Sequence, residues 1–345
     1  MIKIPKNVLK TFSIYYFIIK MIKSQFKIVN IRRLFFMKKT ELLKRVGSVE
    51  QIGGVRDFIF NDGKAKGVRA IEVNTGVIRF TILPDRGMDI AQAFYKEKAV
   101  AWFSKTGITD SRFYDKNEKT WLRGFYGGLV TTCGLKNIGG PVGDYGLHDR
   151  IAHTPAEKVS VFADWVGDDY VIEISGHVRQ SVVFGENLVM KRTIKTKLFS
   201  DTFTLEDTFV NEGFSDEDLA VAYHCNFGYP LVTEGAKITN VPAEIADITA
   251  PVHGIEEECI GVDLDGDVQT VGITNGEMGA YITYKRDTMP DFLIWKMMGE
   301  SEYVVGLEPR TTNFGGQNII KNNAFVSLKP FEEYKSYLQF SFKDE

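Results

Sequence analysis

The chain has 345 residues, 44% hydrophobic and 25% charged, the composition of a globular protein with a full core. A formal net charge of −3 leaves no electrostatic footprint for nucleic acid, so none is expected as a partner. Three cysteines, Cys133, Cys225 and Cys259, are too few and too scattered for a disulfide framework or a zinc cluster, so the expected location is cytoplasmic.

Residues 1–36 differ in character from the rest of the chain. They hold Lys3, Lys6, Lys10, Lys20, Lys23, Lys27, Arg32 and Arg33 and no Asp or Glu, so the remainder is distinctly acidic. The apolar run Phe12 to Ile19 is far short of the roughly 20 residues of a membrane span. Lysines come directly after it and no small-residue cleavage site appears, which argues against a signal peptide. A basic amphipathic surface helix is one reading. The favoured one takes Met37 as the working start and residues 1–36 as a dispensable extension or a start-site artefact, leaving 37–345 as a single domain.

Beyond a short helical segment over Thr40 to Val46, period-two alternation dominates, the mark of half-buried strands. Ile71 to Ile82 reads as two strands around Asn74-Thr75-Gly76. Tyr170 to Arg179 alternates Ile172, Ile174 and Val178 with polar residues. Leu188 to Val210 reads as a long hairpin broken at Ser200-Asp201. Leu219 to Phe227, Tyr303 to Glu308 and Phe325 to Leu328 alternate again. The segment from Trp102 to Ala152 lacks this period. It is rich in glycine and aromatic residues, and such a stretch inside a β-protein is expected to build a pocket wall. The expected fold is all-β, a large antiparallel β-sandwich.

Four stretches offer chemistry. On Leu219 to Phe227, alternation puts Ala220, Ala222, His224 and Asn226 on one face, where small residues leave room beside a histidine. The alternative is a satisfied core histidine. Glu308 closes the apolar strand Val304-Val305-Gly306-Leu307, where burial would raise its pKa into the range of a general base. Its alternative is a surface ion pair with Arg310. Arg86 in Leu83 to Ile90 either presents its fork to a ligand's oxygens or staples the turn between Asp85 and Asp89. His148, in Leu147-His148-Asp149-Arg150, completes the set, while His177 and His253 read as surface residues. His148, His224 and Glu308 could compose a His-His-carboxylate metal set, yet no HxH or HExxH spacing supports one, so no metal is expected. There is no GxSxG elbow, P-loop or dinucleotide fingerprint.

Together, LPDRGMDI, GGLVTTCGLKNIGG followed by GLHDRIAHTPAE, AYHCNFGYPLV and IWKMMGESEYVVGLEP resemble the galactose mutarotase-like superfamily, in its aldose 1-epimerase-related DUF4432 branch. The likeness runs from about Gln51 to the C-terminus. It implies a β-supersandwich with a sugar in an open cleft. By motif, Glu308 resembles the base that takes the anomeric proton and His224 the acid that protonates the ring oxygen, a mechanism that implies an aldose 1-epimerase-type isomerase with no cofactor. His148 resembles a second sugar-site histidine, and Arg86 an arginine that contacts hydroxyls. Asn226, Trp295 and Lys296 are further candidate sugar contacts. Asp149 stands where the branch more usually has glycine. No acidic sugar-binding residue has a secure match, leaving Glu257, Glu258 and Asp263 as candidates. The expected partner is a small-molecule sugar, and a homodimer is among the assemblies allowed. A non-catalytic sugar-binding protein, a glycosidase or lyase, and a metal-dependent isomerase are the competing readings.

Overall fold

The computed structural model describes residues 38–115, 120–313 and 315–345. The N-terminal extension and the proposed start at Met37 lie outside the described residues. The first element is a short helix, α1 (Lys39–Leu43). The strands, in chain order, are β1 (Gly54–Ile59), β2 (Arg69–Asn74), β3 (Ile78–Leu83), β4 (Asp89–Tyr95) and β5 (Lys98–Ala99). Next come β6 (Thr131–Cys133), β7 (Ala156–Val166), β8 (Asp169–Ser181), β9 (Asn187–Lys197) and β10 (Thr202–Asn211). After them lie β11 (Glu217–Leu219), β12 (Ala222–Gly228), β13 (Lys237–Thr239), β14 (Glu258–Val262) and β15 (Val268–Thr274). The last are β16 (Met278–Lys285), β17 (Asp291–Gly299), β18 (Glu302–Arg310), β19 (Val326–Leu328) and β20 (Glu333–Asp344). The period-two segments all become strands. The stretch Leu219 to Phe227 is interrupted at Ala220-Val221, between β11 and β12.

These strands form an antiparallel supersandwich. β1 to β5 make a meander. An eight-stranded sheet runs in the order β13-β15-β16-β20-β10-β9-β8-β7, and a five-stranded sheet in the order β14-β17-β18-β12-β6. β11 and β19 form a separate pair. One hydrophobic core is common to the three larger sheets: Phe80 of β3 stacks on Phe203 of β10 at 4.5 Å, and Tyr284 of β16 on Phe292 of β17 at 5.8 Å. Among the described residues, no helix is long and apolar enough to cross a membrane.

A charged knot crosses this core. The Arg192 guanidinium (β9) is fully buried and donates to Asp207 Oδ1 and Oδ2 (β10) at 2.8 and 2.7 Å and to Asp89 Oδ1 (β4) at 2.8 Å. It also donates to Thr132 Oγ1 (β6) at 2.8 Å, while Thr132 N–H donates to Asp89 Oδ2 at 2.9 Å. Tyr223 (β12) donates its hydroxyl proton to Asp207 Oδ2 at 2.6 Å. The meander, the large sheet and the five-stranded sheet thus meet in one hydrogen-bonded unit. Removing one partner of a buried ion pair leaves uncompensated charge and costs about 3–5 kcal/mol. We therefore expect Arg192→Ala to lose stability of about that size in urea unfolding. A loss below about 1 kcal/mol would show that the knot is not what holds the sheets.

Candidate active site

The cleft face of the five-stranded sheet is fixed by register. Trp295 lies opposite Gly306 and Leu293 opposite Glu308 across β17 and β18. Asn226 lies opposite Gly306 across β12 and β18, and His224 opposite Thr131 on β6. His224, Asn226, Glu308 and Trp295 therefore share one face, while Tyr223, Cys225 and Leu307 point into the core. Gly306 leaves the space between them: a Cβ there would lie 3.1 Å from both Glu308 Oε1 and Trp295 Cβ. Ala222 and Cys133 keep the adjoining floor small.

His224 Nε2 lies 3.2 Å from Glu308 Oε1, and both side chains are buried. Within the protein, that carboxyl oxygen receives no well-directed hydrogen bond. Asn226 determines the imidazole's tautomer. Its amide nitrogen donates to Gly128 O at 3.0 Å and to His224 O at 2.9 Å, so its oxygen faces His224 Nδ1 at 2.5 Å. Nδ1 must then be the protonated nitrogen, which leaves the lone pair on Nε2, the ring nitrogen near Glu308. Burial pushes the Glu308 carboxyl up to about 8, opposed by the Arg310 charge. Burial also pulls His224 down to about 3, helped by neighbouring His148. At neutral pH the pair holds one proton, and both directions put it on Glu308.

His148 joins them, its ring 5.9 Å from that of His224. Its left-handed backbone (φ 52°) is clamped to Gly139: His148 N–H donates to Gly139 O at 2.8 Å, and Gly139 N–H donates to His148 Nδ1 at 3.2 Å. Asp149 also takes the conformation that glycine favours (φ 55°). Its Oδ2 accepts from Lys136 N–H at 3.0 Å and from Gln180 Nε2 at 2.7 Å, so this residue anchors the loop instead of disturbing it.

The walls are aromatic. Phe125 lies 5.3 Å and Trp295 5.0 Å from the His224 ring, Trp121 4.7 Å from His148, and Trp102 6.0 Å from Trp295. Trp102, Phe125, Trp295, Met297, Glu257 and Glu302 line an adjoining cavity of about 580 Å³. The Trp102 to Ala152 segment thus does build a wall. Its individual rings carried no sequence signal, because their inward orientation is set only by packing.

Other expected contacts fall elsewhere. Arg86 is buried, and each of its three nitrogens is engaged: Nε donates to Ala152 O at 2.8 Å, Nη1 to Thr109 O at 2.6 Å and Thr109 Oγ1 at 3.0 Å, and Nη2 to Gly124 O at 2.9 Å. No fork is left for a sugar. Nor does it staple Asp85 to Asp89, since Asp85 Oδ2 accepts from Arg69 N–H at 2.7 Å and Asp89 pairs with Arg192. Lys296 is adjacent to Trp295 on β17 and so points to the opposite face, where it donates to Ile245 O at 2.6 Å and Asp247 O at 3.0 Å. Asn226 is fully buried with both amide ends engaged, and so holds the His224 ring with no polar end left for a ligand. Arg310 pairs with Asp291, not with Glu308. Of the three acidic candidates, Glu257 reaches the cleft and accepts from Trp295 Nε1 at 2.7 Å. Glu258 pairs in register with Lys296 and shares its face, and Asp263 pairs with Arg286 at 3.0 Å. No three His, Cys, Asp or Glu side chains among the described residues are arranged to hold a metal.

The family model of a domain of unknown function, DUF4432, matches residues 65–342. A solved structure from Klebsiella pneumoniae, with a provisional aldose 1-epimerase designation, is 23% identical with a TM-score of 0.79, over 84% of this chain and 83% of that one. A galactose mutarotase-like protein from Clostridium acetobutylicum is 14% identical with a TM-score of 0.61, over 86% and 100%. Galactose 1-epimerase from Lactobacillus acidophilus is 11% identical with a TM-score of 0.58, over 84% and 98%. No curated protein matches the sequence. These likenesses establish the galactose mutarotase-like fold.

The titrations affect stability. Folded Glu308 keeps its proton up to about 8, whereas an unfolded glutamate releases it near 4.5. Its contribution is therefore fully present below 4.5 and is lost as pH rises through 8. Held near 3 and 4, His224 and His148 act oppositely: their contribution is present above 6.5 and is lost as pH falls. Glu308→Gln should thus gain on the parent between about pH 5 and 9, by a few kcal/mol in urea unfolding. Parallel stability curves would mean that the carboxyl is not protonated at neutral pH.

Proposed function

The chain belongs to the DUF4432 family, and on that premise we propose that it is a cofactor-independent isomerase of aldose 1-epimerase type. The observation that carries this reading is the one-proton couple of His224 and Glu308, 3.2 Å apart on an aromatic-walled cleft floor. Anomer exchange needs a proton delivered to the ring oxygen and another removed from the anomeric hydroxyl. The C1–O5 bond then breaks to give the open-chain aldehyde, which rotates about C1–C2 and recloses on its other face. On reclosure both protons return, so the couple is regenerated and neither oxidant nor reductant is consumed.

With the proton on Glu308, the donor is its carboxyl and the acceptor is the Nε2 lone pair of His224. The roles expected from the family likeness, glutamate as base and histidine as acid, belong to the other distribution of the same proton. Transfer across the 3.2 Å contact interconverts the two. Asn226 keeps Nε2 aimed at the reacting oxygens in both. Trp295, Phe125 and Trp102 offer apolar faces to the C–H side of a pyranose, and Glu257 and His148 offer polar groups to its hydroxyls.

Saturation-transfer NMR on a panel of aldoses, ketoses and uronic acids tests the reading. His224→Ala and Glu308→Gln should each slow anomer exchange by roughly 10²–10⁴. The parent's rate should fall above about pH 8, where the couple loses its proton. Sugar binding without exchange in the parent would identify a non-catalytic carbohydrate-binding protein, and unchanged exchange in His224→Ala would remove the mechanism.

A further inference from the structure

The cleft does not end at Glu308. Gly306, Glu308 and Arg310 alternate onto one face of β18, and Trp295, Leu293 and Asp291 lie opposite them on β17. Trp295 and Gly306 lead into the aromatic cavity. In the other direction, one residue pair beyond Glu308 and about 7 Å along the strand, a second cavity of about 700 Å³ opens. Asp291, Arg310, Leu293, Gly261, Asp263 and Asn313 line it. The His224–Glu308 pair thus stands between an apolar lobe and a polar one.

The wall of the polar lobe carries unspent hydrogen-bonding groups. Arg310 Nε donates to Asp291 Oδ2, with the two side chains 13% and 21% exposed, so both can be reached from the cavity. Among the described residues, neither Nη nitrogen of Arg310 donates to the protein, and Asp291 Oδ1 accepts nothing from it. Arg86, whose three nitrogens are each engaged, is the contrast. Neighbouring hydroxyls of a sugar both donate and accept, and a rigid pair offering terminal N–H groups beside a carboxylate oxygen complements them.

Charge restricts what else could enter. The charged side chains lining the two lobes are Glu256, Glu257, Glu302, Asp263 and Asp291 against Lys105 and Arg310. Both cations are already paired, Lys105 with Glu302 and Arg310 with Asp291. Glu256 and Glu257 have no ion pair among the described residues. A carboxylate or phosphate on the sugar would therefore meet more like charge than opposite charge, and such juxtaposition is costly.

We propose that Arg310 and Asp291 form a hydroxyl-recognising clamp, and that the substrate is a neutral sugar and not a sugar acid or sugar phosphate. The terminal nitrogens of Arg310 donate to adjacent hydroxyl oxygens, and Asp291 Oδ1 accepts from one of those hydroxyls. Both residues determine specificity and orientation and exchange no proton with the substrate. The substrate class named here rests on the sugar-isomerase reading of the same cleft.

The test measures binding and anomer exchange separately by NMR on the full chain. The probes are glucose, galactose and mannose with their monodeoxy derivatives, uronic acids and 6-phosphates. A neutral hexose should be preferred over its uronic acid and 6-phosphate by roughly tenfold or more, with the gap narrowing at high ionic strength. At least one monodeoxy sugar should be rejected by roughly tenfold to a hundredfold. Arg310→Met should raise KM for the hexose by a similar factor and erase that rejection. Arg310→Lys, which keeps the charge and loses the fork, should do the same. Asp291→Asn, of nearly the same shape, should narrow the gap between hexose and uronic acid. Equal or better use of the anionic sugars by the parent, or unaltered deoxy-sugar rejection in both Arg310 variants, would overturn the proposal. Neutral-sugar preference in binding without exchange would remove the isomerase reading and leave the clamp. Exchange without that preference would do the reverse, and a parent that binds none of the sugars would overturn both.

Discussion

Arg192 is the point on which the molecule's geometry turns. A β-sandwich held only by apolar contact can slide, because burial is proportional to area and indifferent to register. A guanidinium fork bonded to two aspartates, with a threonine and a tyrosine tied into the same set, has no such freedom. Its partners sit on the meander, on the large sheet and on the five-stranded sheet, so their relative positions are set by hydrogen-bond geometry. Such a knot can add little net stability over a well-packed apolar core while still determining which arrangement forms.

The site inherits that precision through single-residue steps. Tyr223 enters the knot and His224, the next residue, faces the cleft. Thr132 enters the knot while its neighbours Thr131 and Cys133 face the floor beside His224 and Ala222. Asn226 then secures the imidazole from its own strand. The His224–Glu308 pair is thereby held from behind by charge pairing and from the side by an amide. Its own protonation is a consequence of burial: a carboxyl and an imidazole enclosed by aromatic rings both resist charge, so a single proton is shared between them.

Much of this was legible in the sequence because strands have a fixed period. Alternation alone placed His224 and Asn226 together and set Gly306 beside Glu308. The same rule separates Trp295 from Lys296, and the pairing of both with the cleft set that rule aside. Arg86 failed for another reason. A sequence shows an arginine in a tight turn but not the carbonyls of Ala152, Thr109 and Gly124 that converge on it from distant segments. The role of Asn226 was likewise hidden, since both ends of its amide are engaged only after β12 meets the Gly128 backbone. The aromatic wall was visible as composition, while Trp102, Phe125 and Trp121 became a wall only through tertiary packing. The fold thus reads from local periodicity, and the site only in part, because half of it is built by loops.

The placement of the indoles has an optical consequence. Of the four tryptophans in the chain, Trp102, Trp121 and Trp295 surround the cleft, and only Trp165 lies apart, on β7 against Tyr170. Intrinsic fluorescence of this protein is therefore weighted toward the cleft. With imidazoles and a carboxyl close to those rings as potential quenchers, emission intensity becomes a label-free gauge of what occupies the cleft.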